Sequence, residues 1–181
     1  MEAWTDLYTE LAERIKTKLP QIEWIDLWHK QVSFLTTELP FPTPAVFIGF
    51  KTLKIDDKGK LIQDCNMQID FYLFYETFSD TYEGSYNQSS AIDFLRTLTD
   101  LHVLFHGVSG DNFGTMRRVD TKDEDSDNAG NLYRISFQCN VEDASAMKES
   151  ELTTVNELSI SRDNFTRAST LDSEPLFDIN T

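Results

Sequence analysis

Apolar residues recur at helical spacing near the start of the chain. Trp4, Leu7, Tyr8, Leu11 and Ile15 share one face, and Glu10, Glu13, Arg14 and Lys16 share the other. This pattern predicts an amphipathic helix over about residues 4–19. It stops at Leu19-Pro20, because the residue before a proline is pushed out of the helical region. Ile22 to Trp28 is aromatic and β-branched and reads as a short strand. Pro40, Pro42 and Pro44 then hold the chain extended as it leads into Ala45-Val46-Phe47-Ile48-Gly49-Phe50. An apolar run of this kind is expected of a central strand covered on both faces. Asp56-Asp57-Lys58-Gly59-Lys60 reads as a turn that sends the chain back as a hairpin.

From Asn66 the period changes to two. Met67, Ile69, Phe71, Leu73 and Tyr75 point one way, and Gln68, Asp70, Tyr72 and Phe74 the other. A second amphipathic helix is predicted over about residues 88–105, with Ala91, Phe94, Leu95, Leu98, Leu101, His102 and Phe105 on its apolar face. Phe113 to Val119 and Leu132 to Val141 then read as an antiparallel pair joined by an acidic loop, Asp120 to Asn131. The order of elements predicts an α+β fold: a largely antiparallel sheet with two helices packed on one face.

Past Glu142 the sequence becomes rich in Ser, Thr, Asp and Glu, with scattered apolar residues. The expected organisation is a core domain over residues 1–143 and an extended C-terminal arm over 144–181. Leu158, Ile160, Phe165, Leu176 and Phe177 are spaced too widely along the arm to build a core of their own. They are expected to be subunit-interface residues.

Composition narrows the function classes. A chain of 181 residues that is 40% hydrophobic has enough apolar material for one core. No apolar run reaches the length of a membrane span. The first residues, Met1-Glu2-Ala3-Trp4, lack the basic flank and apolar stretch of a signal peptide, so the chain is expected to stay in the cytosol. A formal net charge of −15 repels phosphates and argues against tight nucleic-acid binding. Cys65 and Cys139 stand far apart, match no CxxC spacing and are expected to be buried free thiols.

Candidate chemistry is sparse. His102 and His106 are one helical turn apart and share a face, but no third ligand or general base accompanies them, so an end-of-helix role before Gly107 is the better reading. In the acidic loop, Asp120, Asp123, Glu124, Asp125 and Asp127 suggest a hard cation. With Gly130 at the sixth position of a calcium loop, however, Ala129 falls fifth and Ser136 twelfth, where a bidentate glutamate is required. A solvated loop is expected. The glycines from Gly107 to Gly114 follow a helix rather than precede one, so they form no phosphate cradle. Arg117 and Arg118 are expected to face opposite sides of a strand and to pair with the acidic loop. No nucleophile elbow is present. The sequence therefore predicts a binding protein rather than an enzyme, with no metal and no cofactor.

The helix from Leu7 to Leu19, the apolar strand after Pro44, the long strand Met67 to Tyr75, the helix from Gln88 to Phe105 and the strand Tyr133 to Val141 together resemble bacteriophage tail terminator and tail-completion (neck ring) proteins. The resemblance covers roughly residues 5–143 and lies in element order and length, with no side-chain motif to transfer. It implies a structural virion protein at the tail or head-tail junction, assembled in the host cytoplasm. Such a protein forms a homo-oligomeric ring, commonly a hexamer, against tail-tube and connector or portal proteins. The arm is the departure from that pattern. The alternative is a cytosolic acidic adaptor or immunity-type protein whose charge complements a basic partner.

Overall fold

The computed structural model describes residues 3–34, 41–75, 81–86, 88–126 and 130–147. The chain divides into units Met1–Lys148 and Glu149–Thr181, and every described residue belongs to the first. That unit is an α+β fold: a five-stranded, mostly antiparallel sheet with two principal helices on one face.

Helix α1, Ala3–Lys18, buries Ala3, Leu7, Leu11 and Ile15, an i, i+4 stripe that lies over the sheet. Trp4, expected on that stripe, is instead exposed and meets the edge of the Phe50 ring at 5.9 Å. Strand β1, Trp24–Leu27, runs parallel to β2, Ala45–Gly59. Strand β2 turns into β3, Ile62–Tyr75, and β3 pairs antiparallel with β5, Asn131–Asp143. Strand β4, Arg117–Glu124, closes the far edge, so the order is β1-β2-β3-β5-β4. The centre of the sheet is β3. The apolar run of β2 is covered on both faces as expected, but it lies one strand in from the edge.

Alternation decides which side chains meet the helices. Cys65, Met67, Ile69, Phe71 and Leu73 of β3 join Ile135, Phe137, Cys139 and Val141 of β5 in the helix-side core. The other face carries a smaller aromatic cluster, in which Trp28 stacks on Tyr72 at 4.0 Å and Phe41 packs edge-on against Phe47 and Phe74. Gly49 eases that stack: a Cβ there would lie 3.3 Å from the Tyr72 ring, which would have to give by a few tenths of an ångström.

Four expectations change. The second helix is broken into α2, Gln88–Ala91, and α3, Asp93–Phe105. Phe94, Thr97, Leu101 and Phe105 point inward from α3, which turns Leu95 outward to 47% exposure. Adjacent helical residues differ by about 100° in direction, so the rotation that centres Phe94 on the core carries Leu95 to its margin. The β2–β3 turn lies at Lys60-Leu61, both left-handed with φ of 50° and 68°, rather than at Asp56–Lys60. The strand runs on through the acidic pair because its side chains find cross-strand partners: Gln63 donates to Asp57 at 2.9 Å, and Lys58 to Glu142 at 3.1 Å.

The third and fourth changes concern the region after α3. Phe113 to Met116 is not a strand; it closes a loop in which Gly107 N–H donates to Met116 O and Met116 N–H donates to Val108 O. Phe113 and Met116 anchor this loop in the core. Asp120 to Glu124, expected in a loop, forms most of β4. A register shift between Arg118 and Asp120 leaves Val119 as a bulge in that strand.

The loop is tied to α1 by one carboxylate. Glu10 accepts from Asp111 N–H at 3.1 Å, Asn112 N–H at 2.9 Å and Asn112 Nδ2 at 3.0 Å. Gly110 permits this approach, since a Cβ there would collide with the Glu10 carboxylate and the Phe113 ring. Glu10→Ala should lower stability by about 2 kcal/mol, the usual worth of hydrogen bonds to a charged group. Urea unfolding measures it, and an unchanged midpoint would show that solvent replaces the tie.

Candidate functional site

The arm residues Leu158, Ile160, Phe165, Leu176 and Phe177 lie outside the described residues, as does Asp127 of the acidic segment. Asp120, Asp123 and Glu124 belong to a paired strand rather than a loop, Asp125 follows it, and all but Glu124 remain exposed to solvent. The partner of Asp120 and Glu124 is Arg134 on β5, not Arg117 or Arg118. Lys122 and Arg134 are cross-strand neighbours, which brings the flanking Asp120 and Glu124 of β4 to the same face as Arg134. The guanidinium lies 2.9 Å from Glu124 Oε1, 3.2 Å from Asp120 Oδ2 and 3.9 Å from Asp70 Oδ2.

Asp70 is only 7% exposed and is satisfied by Gln68 Nε2 and by the Ser136 hydroxyl. Burial, then the Asp70 charge, raises the Tyr72 hydroxyl pKa above its ordinary value. Lys122 also reaches Glu124 Oε1 at 3.1 Å, and this network of two cations and three carboxylates joins β3, β5 and β4. Its chemistry is structural: each carboxylate is held by a donor. The sequence signal was present in the alternation of β5, which puts Arg134 on the polar face opposite Tyr72, but the identity of its partners depends on cross-strand register.

The cysteines and His106 are no more available, whereas His102 Nδ1 is buried and makes no hydrogen bond. Burial pushes the Cys139 thiol up to about 12, and burial followed by Asp143 and Asp64 raises that of Cys65. Both are free and buried, so neither is an activated thiolate. The His102 and His106 rings are 4.7 Å apart. His106 Nδ1 accepts from Arg118 N–H at 3.1 Å, which fixes the lone pair a metal would need and joins the helix end to β4. Burial, then Arg118 and His106, lowers the His102 pKa. Among the described residues no group of three or more His, Cys, Asp or Glu is arranged to hold a metal, and no helix is long and apolar enough to cross a membrane.

What stands out is a surface. Strand β1 pairs with β2 only as far as Ile48, so among the described residues no strand pairs with the outer edge of β2 from Gly49 to the hairpin tip. Leu53 sits at a bulge on this edge, and Ile55, opposite Cys65, continues the apolar face past the end of α1. Ile55 is 52% exposed, and Leu53, Leu61 and Trp4 are exposed with it. Lys51 and Lys54 pair with Gln68 and Asn66 and therefore lie on the opposite face. At the tip, an open cleft of about 440 Å³ is lined by Asp57, Lys60, Leu61, Gln63, Asp143 and Ser145. Hydrogen bonds from the Ser145 hydroxyl and N–H lower the Asp143 pKa.

Sequence reasoning missed this surface because it placed the turn too early. The spacing of Lys51, Lys54, Lys58 and Lys60 was the available clue. Neither protein-family models nor curated proteins yield a match to this chain, so its function has to be read from these surfaces.

Proposed function

We propose that the protein is a structural assembly protein whose copies form an oligomeric ring, of the kind that terminates a phage tail or joins it to the head connector. The observation that carries this reading is the long β2–β3 hairpin, on which Leu53, Ile55 and Leu61 are exposed. Several exposed apolar side chains on one hairpin of an otherwise charged chain suit a protein–protein surface. The acidic balance suits a ring through which DNA passes without being held. In this reading the ring sits in the virion against tail-tube and connector proteins, and the segment 144–181 reaches a neighbouring ring protein through Leu158, Ile160, Phe165, Leu176 and Phe177.

The test compares the full chain with a chain truncated after Ala146 by sedimentation velocity and native mass spectrometry at high micromolar concentration. The full chain should form a closed oligomer. The truncated chain should keep its melting transition but associate about tenfold more weakly or worse. A full chain that stays monomeric and does not bind tail-tube or connector proteins would remove the ring reading and favour the acidic adaptor. Equal assembly of both forms would remove the role of the arm.

A further inference from the structure

We infer that His106 and His102 form an acid-sensitive latch, which holds the end of α3 to the start of β4 at neutral pH and releases it when the imidazoles take up protons. The inference stands apart from the ring reading. His106 caps the C-terminus of α3: its N–H donates to His102 O at 2.9 Å, and Gly107, left-handed at φ 78°, turns the chain away. The ring reaches across to β4, where Nδ1 accepts from Arg118 N–H at 3.1 Å. An imidazole that accepts at Nδ1 is neutral and carries its proton on Nε2. Once the second proton binds, both nitrogens are donors and Nδ1–H confronts the Arg118 N–H. The bond between the two elements therefore exists in one protonation state only.

His102 makes the protonated state costlier. Its ring lies 4.7 Å from that of His106, one turn earlier on the same face of α3. Its Nδ1 is buried and has no hydrogen-bond partner among the described residues, so a proton placed there finds no acceptor. Burial, then Arg118 and His106, lowers the His102 pKa. The unfolded chain binds this proton more readily than the folded one. The stability tied to it is complete above the ordinary histidine value of about 6.5 and is lost as the pH falls below that.

The charges that act on His102 are thus cationic, and the nearby carboxylates face elsewhere. On β4, Arg118 lies on the helix side, whereas Arg117, Asp120, Lys122 and Glu124 lie on the opposite face. Asp123 shares the helix side but pairs with Tyr133, whose ring packs on Phe94 in the first turn of α3, while His102 is in the last. The β5 residue opposite Arg118 is the apolar Phe137. Within α3, Asp100 points about 200° away from His102 and accepts from Gln21 Nε2 at 3.4 Å. In the following loop, Asp111 lines a cleft with Lys58 and Asn140, and the α1 pair Glu10 and Arg14 is engaged with the loop amides and the Phe113 ring.

Amide hydrogen exchange of the full chain at about pH 7.5 and about pH 5.5, each rate divided by the intrinsic rate at that pH, reads the latch. Protection at Arg118 and its neighbours in β4 should fall by about tenfold on acidification, the worth of roughly one net hydrogen bond, while β3 keeps its protection. His106→Asn supplies an oxygen acceptor that does not titrate, and His106→Phe supplies none. In both, the protection of β4 should be the same at the two pH values, whatever its level. His102→Phe should leave the fall at Arg118 in place but shrink the drop in melting temperature over the same interval. An original chain whose β4 is equally protected at both pH values overturns the latch. So does a fall in either His106 variant as large as in the original chain, which would place the titrating group elsewhere. An undiminished drop in melting temperature for His102→Phe would remove His102 from the device.

Discussion

Phe71→Ala is expected to destabilise the protein by about 3–5 kcal/mol, the range for removing a large aromatic side chain from a packed core. Phe71 is fully buried at the middle of the central strand. Its ring stacks on Phe105 of α3 at 4.4 Å and meets Phe137 of β5 edge-on at 5.8 Å. One truncation therefore opens a void where a helix, the central strand and its neighbour converge, and the surrounding rings are too constrained by their strands to close it. The matched control is Leu95→Ala, which should change stability by no more than about 0.5 kcal/mol because Leu95 faces outward. Urea unfolding of the two variants checks both. Similar losses would mean that α3 is rotated relative to the packing described.

Arg134→Leu should cost on the order of 3 kcal/mol, the penalty for removing one member of a mostly buried charge set. Leucine can occupy much of the volume, so the loss reports electrostatics more than packing. Without the guanidinium, buried Asp70 is left beside half-exposed Asp120 and partly buried Glu124, of which only Glu124 keeps a cation, Lys122. Asp70 keeps its Gln68 and Ser136 donors. The two β4 carboxylates lose more, and the strand they belong to should loosen first. Thermal unfolding gives the magnitude, and amide exchange along Arg117–Glu124 gives the location. A variant as stable as the original would show that solvent already screens the cluster.

The parts of this fold legible in sequence are those whose residues declare their own environment. Met67 to Leu73 and Ile135 to Val141 alternate strictly, so both their strand character and their buried face followed from period alone. The Leu7, Leu11, Ile15 stripe did the same for α1. The rest depends on partners distant in the chain. Asp120 to Glu124 has poor strand propensity and becomes β4 because Arg134 lies across from it. The hairpin persists through Asp56-Asp57-Lys58 for the related reason that Gln63 and Glu142 lie within reach. Helix orientation is a finer quantity again: the identity of the apolar residues of α3 placed it in the core, but only packing chose Phe94 over Leu95. The candidate surface was hidden by the same misplaced turn, since a short hairpin exposes no edge.

The two ends of the sheet differ in what they permit. The outermost strand β4 carries Arg117, Arg118, Asp120, Lys122, Asp123 and Glu124 and is kinked by the bulge at Val119, while the opposite outer strand β1 is only four residues long. Neither outer strand offers the long, flat, uncharged ladder on which strands from other molecules accumulate without limit, and the stretch of β2 that β1 leaves unpaired is interrupted by the bulge at Leu53 and carries Lys51 and Lys54. A chain that joins its own kind, as proposed for this one, would face that hazard more than most, because the tendency to meet copies cannot be designed away. Restricting main-chain pairing at the rims lets side-chain recognition decide how many copies join, which separates an assembly that ends from an aggregate that does not.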